Sequence, residues 1–146
     1  MENKDIIKKV LKETKPRKKY IYNALMAFIF GGTISGIGQG LLWLYQNVFS
    51  FEANLAKSLM SITIIIIASI LTGFGIFDKI GQVAGAGTYL PISGFANSMT
   101  SAAIESKSEG LIFGILSNML KLAGTVIVAG VISAFIISTI LYVVGI

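Results

Sequence analysis

The sequence predicts an all-α polytopic membrane protein with about four crossings, two of them helices broken by glycine or proline. Hydrophobic residues make up 54% of the 146-residue chain and charged residues only 13%, and the mean hydropathy is +0.80. This is too little charge for the surface of a soluble domain of this size. Long uncharged runs recur along the chain, and two of them carry glycine clusters among polar side chains.

The composition excludes most catalytic chemistry. The chain contains no His and no Cys, which excludes disulfides, imidazole bases, thiol nucleophiles and most metal-ligand sets. Residues 20–146 contain a single Asp, so an intramembrane hydrolase could form neither a Ser-His dyad nor an aspartyl pair within one chain. We therefore expect no enzyme activity, no cofactor and no metal site.

Residues 1–19 form a basic N-terminal segment. They hold eight Lys or Arg against three Asp or Glu, and so account for the whole net charge of +5. Ile6, Ile7, Val10 and Leu11 fall on one helical face with lysines around them, which predicts an amphipathic helix on anionic lipid headgroups. A flexible tail that only sets topology is an equal alternative. The positive-inside rule places this segment in the cytoplasm.

Residues 20–146 form the predicted membrane domain. Uncharged runs cover residues 20–51, 58–77 and 80–104, and a nearly uncharged run covers residues 110–146. A crossing needs about 20 apolar residues, so the run 58–77 is a plain lipid-facing helix. The last run is too long for a single crossing, and we expect a bend near residues 121–124.

The first crossing contains the block GGTISGIGQG at residues 31–40. Gly32, Gly36 and Gly40 recur every four residues and form a small-residue face that lets another helix approach closely. Packing alone could explain this face. Ser35 and Gln39 beside it would be costly in lipid without partners or water, which favours a place on a permeation path.

The run 80–104 is uncharged but weakly apolar, because glycine, proline and small polar residues interrupt it. Residues 91–97 repeat residues 33–39 at an offset of 58, with Ile, Ser and Gly identical in register. Paired broken helices in a membrane mark a binding or permeation site near the midplane. The predicted pore or substrate path is lined by Ser35, Gly36, Gln39, Gly85, Gly87, Pro91, Ser93, Gly94 and Asn97.

Two charged breaks separate the later crossings. Asp78 and Lys79 follow the second run, and Glu105, Lys107 and Glu109 follow the third. The simplest interpretation is an interfacial turn for the first pair and mutual ion pairing for the second group. The alternative is that these residues form a gate or a docking surface for a cytoplasmic subunit.

Several motifs of the chain resemble the AC/AE-type membrane subunits of the SpoVA family of stage V sporulation proteins. The resemblance begins near residue 15 and reaches the C-terminus. The long basic tail fits the AC type better than the AE type. The matching motifs are residues 27–32, 37–40, 73–82 (GFGIFDKIGQ), 85–87, 91–98 (PISGFANS), 104–110 (IESKSEG) and 123–130.

This resemblance implies a multi-pass protein of the forespore and spore inner membrane. Its complex would carry dipicolinic acid, chelated with calcium, into the forespore and release it at spore germination. The implied partners are the AE-type membrane subunit and the soluble AD subunit, and a tension-responsive channel activity has been proposed for this type of subunit. From the residues alone, a holin-like pore or a membrane scaffold without its own permeation path stays open as an alternative. No nucleic-acid partner is expected.

Overall fold

The computed structural model describes Ile7 and residues 19–145, and all regular elements in this part of the chain are helical. The six α-helices are α1 (Tyr20–Trp43), α2 (Ala53–Gly73), α3 (Ile76–Ala84), α4 (Ala86–Tyr89), α5 (Ile92–Glu105) and α6 (Ser117–Val144). A π-helical turn, Leu44–Val48, extends α1, while a 3₁₀ turn (Ser106–Glu109) and a second π-helical turn (Leu111–Leu116) join α5 to α6. The amphipathic helix predicted for residues 1–19 lies outside the described residues, except for Ile7 and Lys19.

Three helices are long and apolar enough to cross a membrane: Tyr20–Val48, Ala53–Gly73 and Leu111–Val144. The all-α polytopic fold is therefore confirmed. The expected fourth crossing, residues 80–104, contains no helix of spanning length. Its longest helix, α5, has 14 residues, or about 21 Å at 1.5 Å per residue, against a hydrocarbon core of about 30 Å.

The backbone breaks in this segment lie at the glycine and the proline that the sequence indicated. Gly85 separates α3 from α4 with φ of 53° and ψ of −127°, a conformation that residues with a Cβ rarely adopt. Pro91 precedes α5 with φ of −65° and ψ of 170°. Because proline has no N–H to donate and restricts the residue before it, it starts a new helix here instead of continuing the old one.

The glycine block of the first crossing does not break its helix, and this part of the prediction is wrong. Residues 31–40 lie within the continuous helix α1. An interior glycine costs about 1 kcal/mol relative to alanine in a water-exposed helix. In hydrocarbon no water competes for the backbone groups, so the intrahelical hydrogen bonds persist. A bend was expected near residues 121–124; the helix α6 is continuous there, and the irregular turn in the last span is Leu111–Leu116.

Small residues bring the helices close together. Ala68 of α2, Phe77 of α3 and Ala96 of α5 form the buried apolar cluster. The short helix α4 lies directly against α1, because a Cβ added to Gly87 would overlap the carbonyl oxygen of Ala27 and lie 2.9 Å from its Cα. In contrast, no residue of α6 is buried within the chain.

The turn between α1 and α2 carries an aromatic cluster. The rings of Phe49 and Phe51 stack with centroids 5.9 Å apart, and Tyr45 lies 6.1 Å from Phe49. The hydroxyl of Tyr45 is 2.8 Å from Thr63 Oγ1 and so joins the end of the first span to the second. Aromatic side chains with a polar atom are typical of the interface between lipid and water.

The contact between α4 and α1 can be tested by replacing Gly87 with Ala. The added methyl group overlaps the backbone of Ala27, so we expect the free energy of unfolding to fall by about 1–3 kcal/mol. Thermal or denaturant unfolding in detergent measures this. Gly32→Ala is the matched control, because a Cβ there meets nothing within 4 Å and should be neutral or slightly stabilising. Equal effects of the two substitutions would contradict the contact.

Candidate functional site

The broken segment, which comprises α3, α4 and α5 (residues 76–105), packs against α2 around a group of buried polar side chains. Thr72 of α2, Thr88 of α4, and Ser93 and Asn97 of α5 each have a relative exposure of 6% or less. Polar groups are costly to bury unless they form hydrogen bonds. All buried side-chain nitrogen and oxygen atoms in the described part of the chain have a partner.

A hydrogen-bonded chain joins α2, α5 and α3. Thr72 Oγ1 donates to Asn97 Oδ1 at 2.8 Å and also lies 2.7 Å from the carbonyl oxygen of Ala68, so one proton is shared between two acceptors. Asn97 Nδ2 donates in turn to Asp78 Oδ1 at 3.5 Å. Thr72 lies in the last turn of α2 and Asp78 is exposed, so this polar chain runs from the buried C-terminal end of α2 to the surface.

A second set of hydrogen bonds closes the breaks in the backbone. Thr88 Oγ1 donates to the carbonyl oxygen of Gly85 at 3.1 Å, and Ser93 Oγ donates to that of Thr88 at 3.2 Å. A Cβ added to Gly94 would overlap the carbonyl oxygen of Tyr89 and lie 2.6 Å from its Cα. The local sequence therefore folds back tightly on itself here. Six predicted site residues share this segment: Gly85, Gly87, Pro91, Ser93, Gly94 and Asn97.

The three predicted residues on α1 are not part of this group. Ser35, Gly36 and Gln39 are exposed, and a Cβ on Gly36 would meet nothing within 4 Å. The inner face of α1 is instead occupied by Gly38, where a Cβ would lie 3.4 Å from Ile64 Cδ1. Within one chain, the three predicted path residues on α1 therefore lie apart from the six on the broken segment.

An apolar cavity of about 240 Å³ lies between α1, α2 and the broken segment. Phe30 and Ile34 of α1, Ile64 of α2 and Phe77 of α3 are part of its wall. Thr88 and Ser93 also line it, but their hydroxyl groups bind backbone carbonyl oxygens. Ser93 is thus the predicted path residue that lies next to open space.

The charged residues after α5 line a second, polar cleft. Glu105 and Glu109 form part of a cleft of about 460 Å³ between the end of α5 and the start of α6. Lys107 is exposed and is absent from its lining, whereas Lys121 of α6 supplies the positive charge. Asp78 and Lys79 are exposed on α3. No group of three or more acidic side chains that could hold a metal ion occurs in residues 19–145.

The structure adds three residues that the sequence analysis missed. Thr72 binds Asn97, Asn118 donates to Ser106 Oγ at 2.7 Å, and Lys121 lines the polar cleft. Lys121 could have been found from the sequence, because it is a charged residue within the strongly apolar span Leu111–Val144, and such residues often mark a functional site. Thr72 offered no comparable signal.

A family model described as SpoVAC/SpoVAEB sporulation membrane protein matches residues 23–140. The chain belongs to this family. It is 50% identical over 137 residues to stage V sporulation protein AC of Bacillus subtilis (strain 168), an alignment that covers 94% of this chain and 91% of the relative. No solved structure matches this SpoVAC/SpoVAEB chain. The resemblance seen in the sequence motifs is therefore confirmed.

The bond between Thr72 and Asn97 can be tested with a double-mutant cycle. We expect Asn97→Ala to lower the free energy of unfolding by about 1–3 kcal/mol and to couple with Thr72→Val by about 0.6 kcal/mol, the mean for hydrogen bonds between membrane helices. Unfolding in mixed micelles measures both quantities. Thr139→Val is the control second site, because Thr139 binds only the carbonyl oxygen of Phe135 in α6 and should be additive with Asn97→Ala. Additivity of Thr72→Val as well would contradict the bond.

Proposed function

We propose that this chain is a membrane channel or transport subunit for dipicolinic acid, carried as its calcium chelate. It would serve uptake into the forespore and release at spore germination. Membership in a family of sporulation membrane proteins supports a role in a membrane during sporulation. The choice of dipicolinate rests on the resemblance to the SpoVA family.

The observation that carries the transport role is the polar chain from Thr72 through Asn97 to Asp78, inside a bundle with spanning apolar helices. A bundle that only anchored a protein would have little use for a broken, hydrogen-bonded segment in its interior. Broken helices supply backbone groups and helix ends that can contact an ionic substrate near the midplane. A planar dicarboxylate needs such hydrogen-bond donors along its path.

The apolar cavity beside Ser93 supports a closed conformation. Hydrophobic constrictions stop ions by excluding water, and the wall of this cavity is mostly aliphatic and aromatic. Opening would require the broken segment to move away from α1 and α2. Gly75 and Gly85, with φ of 68° and 53°, lie at the two ends of α3 and are suitable hinges for that motion.

The proposal includes the setting of the subunit. The partners would be the AE-type membrane subunit and the soluble AD subunit, and the location would be the forespore and spore inner membrane. A cytoplasmic N-terminus on anionic lipid agrees with the basic residues 1–19. The start of α1 also fits a membrane interface, because Lys19 Nζ lies 5.7 Å from the ring centre of Tyr22.

A second candidate is an assembly subunit that has no permeation path of its own. The outward face of α1 favours it, because Gly32, Gly36 and Gly40 each have nothing within 4 Å of an added Cβ. Such a face suits close packing against another membrane helix. Under this alternative, Gln39→Leu would impair complex assembly. Substitutions at the apolar cavity would change dipicolinate content only if they lowered the amount of protein.

The transport proposal is tested by the dipicolinate content of spores whose copy carries Ser93→Leu. A leucine there adds apolar volume at the cavity and removes the hydroxyl group, so we expect these spores to accumulate clearly less dipicolinate than spores with the unmodified chain. Ser98→Leu is the matched control, since Ser98 lies on the same helix but is exposed. Immunoblots check that both proteins reach normal levels. Normal accumulation and normal germination release with Ser93→Leu would contradict the proposal.

A further inference from the structure

The polar cleft after α5 has the composition of a binding site. Its volume is about 460 Å³, and its polar lining residues are Glu105, Ser106, Glu109, Asn118, Lys121 and Thr125. It brings two carboxylates and one ammonium group together with an amide and two hydroxyl groups. Glu105 ends α5, the helix that carries Ser93 and Asn97, but none of the six residues lines the apolar cavity beside Ser93. The cleft is therefore a second cavity.

The lysine of this cleft needs a partner. Lys121 lies within the apolar span Leu111–Val144, where a charge is costly unless it is paired or faces a wet cavity. Within residues 19–145 its ammonium group forms no hydrogen bond or ion pair, although Glu105 and Glu109 line the same cleft. Lys121 is exposed, so its ammonium group is accessible to a ligand in the cleft.

The neutral groups of the cleft are fixed in place. Asn118 Nδ2 donates to Ser106 Oγ at 2.7 Å, and Thr125 Oγ1 donates to the carbonyl oxygen of Leu122 at 2.7 Å. The turn that carries the carboxylates is also tightly packed, because a Cβ on Gly114 would overlap the carbonyl oxygen of Ser106 and lie 2.9 Å from Glu109 Cβ. Groups held in this way lose little freedom when a ligand binds.

The charge pattern selects the class of ligand. Two carboxylates and one ammonium give a net charge of −1, so a free dicarboxylate would meet more repulsion than attraction. A bare calcium ion needs six to eight oxygen ligands, and two carboxylates beside a lysine do not supply them. A ligand that presents both a divalent cation and a carboxylate satisfies both sets of protein charges.

We propose that this cleft binds a metal–carboxylate chelate, with the cation facing Glu105 and Glu109 and a ligand carboxylate facing Lys121. The identity of the chelate as calcium dipicolinate rests on the proposed function. Chelation by the dicarboxylate supplies part of the calcium coordination, and the two protein carboxylates and water complete it. Asn118 then donates its second amide N–H to a carboxylate oxygen of the ligand.

Calorimetric titration of the full-length chain in lipid nanodiscs tests this site. The probes are calcium dipicolinate, calcium chloride alone and sodium dipicolinate alone. We expect the chelate to bind more tightly than either component, and Lys121→Gln to weaken it roughly 10- to 100-fold, the loss for one hydrogen bond to a charged group. Glu105→Gln should act in the same direction.

Lys57→Gln is the matched control, because Lys57 is an exposed lysine of α2 that does not line the cleft. The inference is overturned if the unmodified chain does not bind the chelate, if calcium alone binds as tightly, or if Lys57→Gln weakens binding as much as Lys121→Gln. Thermal unfolding of each variant checks that it is folded, and Lys121→Arg should retain most of the binding. An affinity that changes with the lipid headgroup but not with Lys121 would assign the cleft to lipid.

Spores separate this inference from the transport proposal. One outcome is low dipicolinate with Ser93→Leu but normal dipicolinate and release with Lys121→Gln. It would show that transport does not need the cleft, and it would not contradict the transport proposal. Normal dipicolinate with both variants would overturn the transport proposal. The nanodisc titration would still show whether the cleft binds the chelate.

Discussion

Backbone hydrogen bonding in hydrocarbon is the constraint on which this structure depends. A break in a helix leaves N–H and C=O groups without partners, and lipid cannot supply them. This chain breaks its helices at Gly85 and again at Pro91. Leu90 N–H binds Ala86 O at 3.0 Å and Gly94 N–H binds Pro91 O at 2.9 Å, so local turns satisfy part of the requirement. The hydroxyl groups of Thr88 and Ser93 satisfy more of it.

The close packing of the bundle follows from these breaks. A segment with polar groups at its surface has to be covered by protein, and α1 and α2 provide the cover. Gly87 allows α4 to approach the backbone of α1, and Ala68 and Ala96 bring α2 against α5. Thr72 then reaches Asn97 across the same contact. Close packing and polar pairing therefore both follow from the need to cover these polar groups with protein. The same need explains why the buried hydrophobic residues that the structure describes are four alanines and a single aromatic residue, Phe77.

The sequence predicted the elements whose signals are local. The uncharged run 58–77 predicted the second span, although α2 begins five residues earlier and ends four residues earlier, at Gly73. A glycine, which tolerates positive φ, and a proline, which has a fixed φ, marked the breaks around α4. The glycines of α1 misled the prediction, because a glycine is compatible with either a helix or a break, and only the surroundings decide between them. Contacts between residues far apart in the sequence could not be predicted from it. Nothing local to Thr72 or Asn97 specifies that they meet, and the cleft around Lys121 exists only because the turns after α5 bring α6 back beside it.

The orientation of α1 determines where a path that uses both predicted halves can lie. Gly38 faces α2, whereas Ser35 and Gln39, about 60° and 100° around the helix from it, are exposed. A carboxamide exposed to lipid is costly, and the adjacent Gly32, Gly36 and Gly40 leave room for close approach. Ser35 and Gln39 can therefore serve a wet path only where a second chain packs against α1. Under the transport proposal, a path that includes both residues would therefore run along the contact between α1 and a neighbouring chain.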